Sequence, residues 1–395
     1  MSGRECEIAI VGGGLAGGLI ALAIHRYNPG IPLRIIEAGA TLGGNHRWSW
    51  FDSDLDRAAT ALMQPFRKMY WEDGYEVRFP ACRRILRAQY NSLTSADFYA
   101  ALKRELPEGS IMTNRKVSEL ATDGVTLANG DRIEARTVID CRGFEPSSEL
   151  TGGWQVFMGR HVRTSEPHGL ERPVIMDANV DQHDAYRFVY TLPLGAHELF
   201  VEDTYYADSP YLDRSALSRR LDEYCDRHGW TGDILGGETG VLPVITGGRF
   251  KAYQMERRIN GVAMAGARGG FAHPLTSYTL PFALRTALLI AENAELPGDQ
   301  LGALLEAQAR NHWRDTRFYR RLGAMLFGVS NPNMRYRIFE RFYRLPEGLI
   351  ERFYAGKTTL SDRIGVLTGR PPMSIASAIN ALLRKGKPLL QDRQS

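Results

Sequence analysis

The sequence predicts an α/β fold, and three observations predict it. The apolar run Ile8-Ala9-Ile10-Val11 enters Gly12-Gly13-Gly14-Leu15-Ala16-Gly17 and then the apolar stretch 19–24, which reads as strand, glycine turn in G-x-G-x-x-G spacing, and helix. A second strand, Leu33 to Ile36, ends in Glu37, 37 − 17 = 20 residues past the last glycine, where a carboxylate holds a ribose hydroxyl. Residues 261–267 repeat the strand-into-glycine pattern ahead of a helix over 279–293. Together these describe a Rossmann-type dinucleotide-binding domain.

Each element follows from its residues. Gly12 permits the tight turn, Gly14 lets a pyrophosphate approach the backbone, and Gly17 lets the helix pack closely on the strand. Glu37 disfavours a 2′-phosphate and suits the adenosine of FAD or NAD. A signal peptide over 8–24 is argued against by five glycines in the run, by Arg4 as the only positive lead, and by the lack of a small-residue cleavage signature. Leu42-Gly43-Gly44-Asn45-His46 and Arg47-Trp48-Ser49-Trp50 then place a Gly-Gly turn beside basic and aromatic side chains. Trp48 and Trp50 fit a pocket wall or plain core packing. Residues 95–106 read as a short helix capped by Ser95.

From 116 to 143 the chain reads as a meander with an Asn129-Gly130 turn, then a buried strand over 137–140 and the loop Cys141-Arg142-Gly143. Such a ribbon resembles the FAD domain of the hydroxylase-like flavoproteins; an NAD-only domain continues as strand and helix units. Alternating aromatic and polar positions over 154–205 suggest a separate sheet that roofs a ligand pocket, and 215–227 a helix. The second glycine turn, with Gly266, Gly269 and Gly270 and then Phe271-Ala272-His273-Pro274, supplies another cofactor contact, and two such sites favour FAD. The expected division is an FAD-binding domain over 1–150 and 251–300, a substrate-binding sheet over 151–250, and a helical region over 301–395. Residues 310–352 carry ten Arg against four acids, an excess of 10 − 4 = +6, interleaved with aromatics. That pattern suits an interfacial helix on anionic lipid, and equally a solvated helical cap.

Composition narrows the class. A balance of 49 basic and 45 acidic residues gives +4, too little to imply nucleic acid, and 44% hydrophobic residues is ordinary for a globular chain. Four scattered cysteines form no C-x-x-C pair, which indicates neither disulfides nor zinc and suits a reducing cytoplasm. No apolar run reaches the roughly 18 residues of a spanning helix. No clustered metal ligands, G-x-S-x-G elbow or G-x-x-x-x-G-K-[ST] loop is present, and His183 reads as surface loop.

With these residues in hand the chain resembles the bacterial lycopene beta-cyclases over nearly its whole length. The resemblance is carried by the N-terminal glycines, Gly43-Gly44-Asn45-His46 with Trp48-Ser49, Phe200-Val201-Glu202-Asp203-Thr204, and His273-Pro274-Leu275-Thr276-Ser277-Tyr278. Phe342-Tyr343-Arg344-Leu345-Pro346 and Arg352-Phe353-Tyr354-Ala355-Gly356 add to it. Arg47 departs from it, standing where a small residue is expected. The resemblance implies a redox-neutral cyclisation of each open end of lycopene to a β-ring, by way of gamma-carotene to beta-carotene. It implies FAD in its reduced form, with NADPH or NADH as reductant. FAD would be held by Gly12, Gly14, Gly17, Glu37, Gly44, Gly266, Gly269 and Gly270. The substrate would lie among Trp48, Trp50, His273 and Tyr278. Partners would be lycopene, related apolar carotenes and a membrane surface, with no metal or nucleic acid, in a cytoplasmic, peripherally membrane-associated protein.

The chemistry asks for a carboxylic acid that protonates an alkene, and burial against apolar surface keeps such an acid protonated. The acidic motif implies Glu202 as that donor, with Asp203 beside it as the other catalytic candidate. Adjacent strand residues face opposite ways, so only one of the two can face the pocket. An FAD monooxygenase, an isoprenoid reductase or a non-catalytic flavin-binding surface protein would use the same fold.

Overall fold

The computed structural model describes residues 6–329, 331–368 and 386–390. Its first sheet is parallel, in the order Val262–Met264, Thr137–Asp140, Ile8–Val11, Leu33–Ile36, Ile111–Met112. The central strand is buried along its whole length because both faces of the sheet are covered, so it reads as an unbroken apolar run. Ile8 and Ile10 pack with Leu19 and Ile20 of helix Leu15–Tyr27 and with Leu284 and Ala287 of helix Leu280–Glu292. Ala9 and Val11 pack with Leu120, Val125 and Ile133 of the antiparallel ribbon Val117–Ala121, Gly124–Leu127, Arg132–Glu134.

The turn that follows is where glycine is required. Gly12 sits at φ +98°, with the backbone of Cys141 and Arg142 2.9 Å from where a Cβ would stand, and a Cβ on Gly17 would lie 2.1 Å from the Gly12 carbonyl oxygen. Gly14 has nothing within 4 Å of its Cβ position. The fold itself therefore tolerates a side chain at 14, and the open space in front of it is what a bulky residue would take away.

The second sheet runs in the order Gly232–Gly248, Ser147–Thr164, Glu198–Ala207, Tyr186–Pro193, Val174–Asp177, Tyr75–Phe79, Cys82–Leu86. Its neighbours are antiparallel except Val174–Asp177 with Tyr75–Phe79. Tyr75–Phe79 and Cys82–Leu86 thus belong to this sheet although they precede residue 150. Charge hides the alternation in these two strands, and glycine hides it in Gly232–Gly248, which lies within the expected sheet over 151–250. A small sheet of Arg47–Phe51, Tyr90–Thr94 and Met69–Trp71 joins the two halves. Trp50 and Leu93 enter the core of the nucleotide-binding half, while Phe51 and Tyr90 enter that of the large sheet.

The expected helices form with small shifts at their ends. The first is Ser95–Glu105, capped by Thr94 rather than Ser95, since Thr94 Oγ1 accepts the Asp97 N–H at 3.0 Å. The others are Arg214–Arg227, capped by Asp213, and Leu280–Glu292. The C-terminal helices Tyr336–Phe342 and Glu347–Tyr354 bury Phe339, Phe342, Ile350, Phe353 and Tyr354 in the core of the large sheet. The Phe339 ring stacks on Tyr186 at 4.3 Å. Several of the arginines are internal as well. Arg335 is fully buried on Asp208 at 2.9 Å, and Arg320 stacks on Trp313 at 3.6 Å. Parts of the expected 301–395 region, at 369–385 and 391–395, lie outside the described residues.

Gly17→Ala should destabilise the fold by about 1–3 kcal/mol or more, because its methyl meets backbone that cannot move aside. Gly14→Ser, which keeps a favourable capping residue, should change stability little. Urea midpoints of the two variants check the contrast.

Candidate active site

The strand Glu198–Ala207 sorts its side chains by the pleat. Phe200, Glu202 and Tyr206 line a cavity, together with Arg47, Trp48, Ser49, Tyr90, Tyr190, Glu238 and Tyr278. Asp203 points the other way and is fully buried. Arg187 Nε donates to its Oδ1 at 2.7 Å, and Tyr205 Oη donates to its Oδ2 at 2.7 Å. Of the two catalytic candidates, only one of which the pleat lets face the pocket, Glu202 faces the cavity; Asp203 is held in an ion pair behind the strand and is no part of the cavity wall.

Glu202 meets a second carboxyl. Glu238, on Gly232–Gly248, hydrogen-bonds the Glu202 carboxyl across the intervening strand. Thr204 Oγ1 donates to Glu202 Oε1 at 2.8 Å, and the Arg47 backbone N–H donates to Glu238 Oε2 at 2.8 Å. Burial is the largest influence on both acids and pushes both upward, and the neighbouring carboxyl raises Glu238 further. A carboxyl here keeps a proton well above the ordinary carboxylate range.

The wall around the pair is aromatic and hydroxylated. Ser49 Oγ lies 2.7 Å from Tyr190 Oη, which lies 3.0 Å from Tyr90 Oη, which in turn lies 3.3 Å from Tyr278 Oη. The Arg47 guanidinium stands over the Phe200 ring at 5.1 Å. Sequence reasoning found Trp48 and Tyr278, and both line the cavity. It does not single out Glu238 and Tyr90, since no local motif marks them; Ser49 and Tyr190 stand in stretches that it does single out, without a role of their own, and Arg47 reads as a basic neighbour of the Gly-Gly turn and as a departure from the resemblance.

Two expected pocket residues sit elsewhere. Trp50 is fully buried in the core beside Leu62, Leu93 and Phe98. His273 is also fully buried. Its Nδ1 accepts the N–H groups of Leu275 and Thr276, its ring lies 4.5 Å from Tyr319, and it borders a second cavity with Phe144, Trp154 and Tyr211. That second cavity shares Leu242, Ser277 and Thr279 with the first.

The expected cofactor residues converge. Gly13 N–H donates to Glu37 Oε2 at 2.7 Å, Gly43 N–H donates to the Gly13 carbonyl at 2.8 Å, and Gly44 follows at φ +63°. Gly266, at φ +60°, abuts Ala16 so closely that a Cβ there would lie 2.8 Å from the alanine methyl. The two glycine turns thus face each other, with Gly269 and Gly270 continuing the second. Open space at Gly14, a helix N-terminus and a carboxylate at the strand end fit a dinucleotide. Among the described residues no cluster of metal-ligating side chains occurs.

The loop from 272 to 278 rests on two neutral histidines. Burial pushes His273 down to about 3 and His312, whose Nε2 lies 2.8 Å from the Ala272 carbonyl, down to about 4. Unfolded histidines take up protons near pH 6.5, so below that pH the unfolded chain binds more protons and stability falls as pH falls toward about 4. The urea midpoint should drop over that window, and less steeply in His312→Gln, which keeps a donor for Ala272.

Comparison with known proteins places the chain in a family. The chain is 42% identical over 378 residues to a lycopene beta-cyclase of Pseudescherichia vulneris, covering 95% of this chain and 97% of that one. It is 38% identical to a lycopene beta-cyclase of Pantoea ananas, covering 95% and 98%. The fold matches Klebsiella pneumoniae HpxO, solved in complex with FAD and uric acid, with a TM-score of 0.61 at 16% identity over 91% of this chain and 97% of that one. The family described as lycopene cyclase protein matches residues 7–380, and the chain belongs to that family.

Proposed function

We propose that this chain cyclises the open ends of lycopene and related apolar carotenes to β-rings, with FAD held by the paired glycine turns. The observation that carries the proposal is a glutamic acid, Glu202, whose ionisation burial disfavours, facing an aromatic cavity. Glu202 gives its proton to the terminal alkene, the tertiary cation is attacked by the next internal double bond, and loss of a ring proton yields the β-ring. Trp48, Tyr90, Tyr190, Phe200 and Tyr278 present ring faces to the cation, at up to about 2 kcal/mol each when desolvated. The same rings exclude water that would otherwise capture it.

Gly12, Gly14, Gly17, Glu37, Gly44, Gly266, Gly269 and Gly270 are the residues that would hold FAD. Reduced FAD, maintained by NADPH or NADH, supplies negative charge beside a cationic substrate when bound. Gly14→Val should leave the fold intact, since nothing crowds that position, yet abolish flavin retention. A full flavin spectrum in the purified variant would contradict the site.

Glu202→Gln should retain flavin and lose at least roughly a hundredfold in cyclisation of lycopene with pre-reduced FAD in the absence of oxygen. Asp203→Asn acts differently: breaking its buried pair with Arg187 should cost stability, on the order of 3–5 kcal/mol, rather than the acid. Substoichiometric use of NAD(P)H per ring marks isomerisation, while one per product would mark reduction or oxygenation.

Peripheral association with a membrane from the cytoplasmic side follows from a substrate that has no polar group. No described helix is long and apolar enough to cross a membrane. Helix Leu360–Leu367 exposes Leu360, Ile364 and Leu367, spaced by 4 and 3 residues and so on one face, and Arg321 and Arg337 of the preceding C-terminal helices are exposed. Replacing the three apolar residues with Ser should reduce co-sedimentation with anionic vesicles, and Arg321→Gln with Arg337→Gln should reduce its salt dependence. Binding unchanged in both variants would leave the C-terminal helices as a cap alone.

A further inference from the structure

Cyclisation of an open end takes up one proton and gives one back. A site that performs it needs a donor, an acceptor, and a path between them. The two glutamates of the cavity come from strands that are not neighbours: both pair with Ser147–Thr164, and both have Gly159 as register partner. Side chains two strands apart on one face start roughly 9–10 Å from each other. They meet here because the residue between them has no side chain, and the Phe200 ring fills the place, 2.3 Å from where a Gly159 Cβ would stand.

A carboxyl and a carboxylate joined by a hydrogen bond share one proton, and in that state the pair carries one negative charge. The groups that face it are Arg47 and Ser49 from Arg47–Phe51, His46 just before that strand, Tyr190 from Tyr186–Pro193, and Thr204 from the Glu202 strand. Asp97 stands near Arg47, and Asp203 lies behind the sheet. Arg47 is the cation that balances the shared charge without taking the proton. Thr204 anchors one acid and the Arg47 backbone N–H the other, which leaves the oxygens between them to exchange a proton.

Resting on the cyclase reading, we infer that Glu238 accepts the ring proton and returns it to Glu202. The Glu202 O–H bond breaks as a C–H bond forms at the terminal alkene carbon. The internal double bond then closes the ring with a new C–C bond and leaves a tertiary ring cation. A ring C–H bond breaks, its electron pair becomes the ring double bond, and the proton goes to the Glu238 carboxylate. Glu202 is now the anion and Glu238 the acid, and one transfer along their hydrogen bond restores the starting pair. No proton is exchanged with solvent over the cycle, and no electron is gained or lost.

The acceptor also decides the product. The ring cation has three neighbouring carbons that can lose a proton, and only loss from the carbon bearing the polyene gives a β-ring. Glu238→Gln keeps an oxygen for the Arg47 N–H but cannot accept a proton. With pre-reduced FAD and lycopene in vesicles, it should slow turnover at least about tenfold and yield rings whose double bond is displaced from the β position. It also removes the anion beside Glu202, so the alkaline limb of its rate profile should move to lower pH. A purely structural role for Glu238 would leave the position of the ring double bond unchanged.

Glu238→Asp, which keeps a carboxyl, should make β-rings alone at a reduced rate, and flavin retention with an unchanged urea midpoint checks the folding of each variant. β-Rings alone, at the wild-type rate and pH profile, in Glu238→Gln would overturn the assignment of Glu238, as would displaced double bonds in Glu238→Asp. An active Glu202→Gln would instead overturn the acid of the cyclase reading, so the two failures are distinguishable.

Discussion

A carboxylic acid that faces an apolar cavity keeps its proton only if no stronger base is in reach and charge nearby is balanced. The hydrogen bond between Glu202 and Glu238 meets both conditions. Burial disfavours ionisation of either acid, the partner carboxyl disfavours a second ionisation, and Arg47 balances the single charge that the pair carries. The bond depends on strand register. Glu202 and Glu238 both stand opposite Gly159, and slipping either strand by one residue would turn its acid to the far face of the sheet.

The rest of the fold serves that register. The strands Ser147–Thr164 and Gly232–Gly248 pair over most of their length, which pins Glu238 far more firmly than a short ladder would. The small sheet then carries Arg47, Trp48 and Ser49 from the nucleotide-binding half to the cavity. Its alternate residues Trp50 and Phe51 anchor in separate cores, so the two halves hold one another in place. On the remaining side the C-terminal helices bring Tyr354 to the cavity and pack Phe339, Phe342 and Phe353 behind it. The aromatics of that region are structural cover for a dry site, and only part of its positive charge remains at the surface.

One strand shows how burial divides into two chemistries. Glu202 and Asp203 are neighbours in sequence and both are removed from bulk water, yet Asp203 has an arginine and a tyrosine hydroxyl at 2.7 Å while Glu202 has a threonine hydroxyl and another acid. A buried carboxylate with a guanidinium partner is a structural ion pair. A buried acid without one holds its proton more readily.

The amino-acid sequence by itself determined the nucleotide-binding half and offered Glu202 and Asp203 as the candidate acids. Glycine turns, a carboxylate at a strand end and an Asn-Gly hairpin are local signals, written within a few residues of one another, because backbone conformation and phosphate approach are decided locally. The pleat likewise allowed only one of Glu202 and Asp203 at the cavity before any contact was known. Tertiary structure alone decided what surrounds that acid. Glu238 lies 36 residues away, since 238 − 202 = 36, in a glycine-rich segment that does not read as strand, and Tyr90, Tyr190 and Tyr278 converge from three distant segments. Trp50 carried the same local promise as Trp48, but packing turned it into the core, and His273 borders the second cavity while Tyr278 lines the first. Which side chains share a cavity is settled by register and by the meeting of separate cores, and neither is encoded within the reach of a motif.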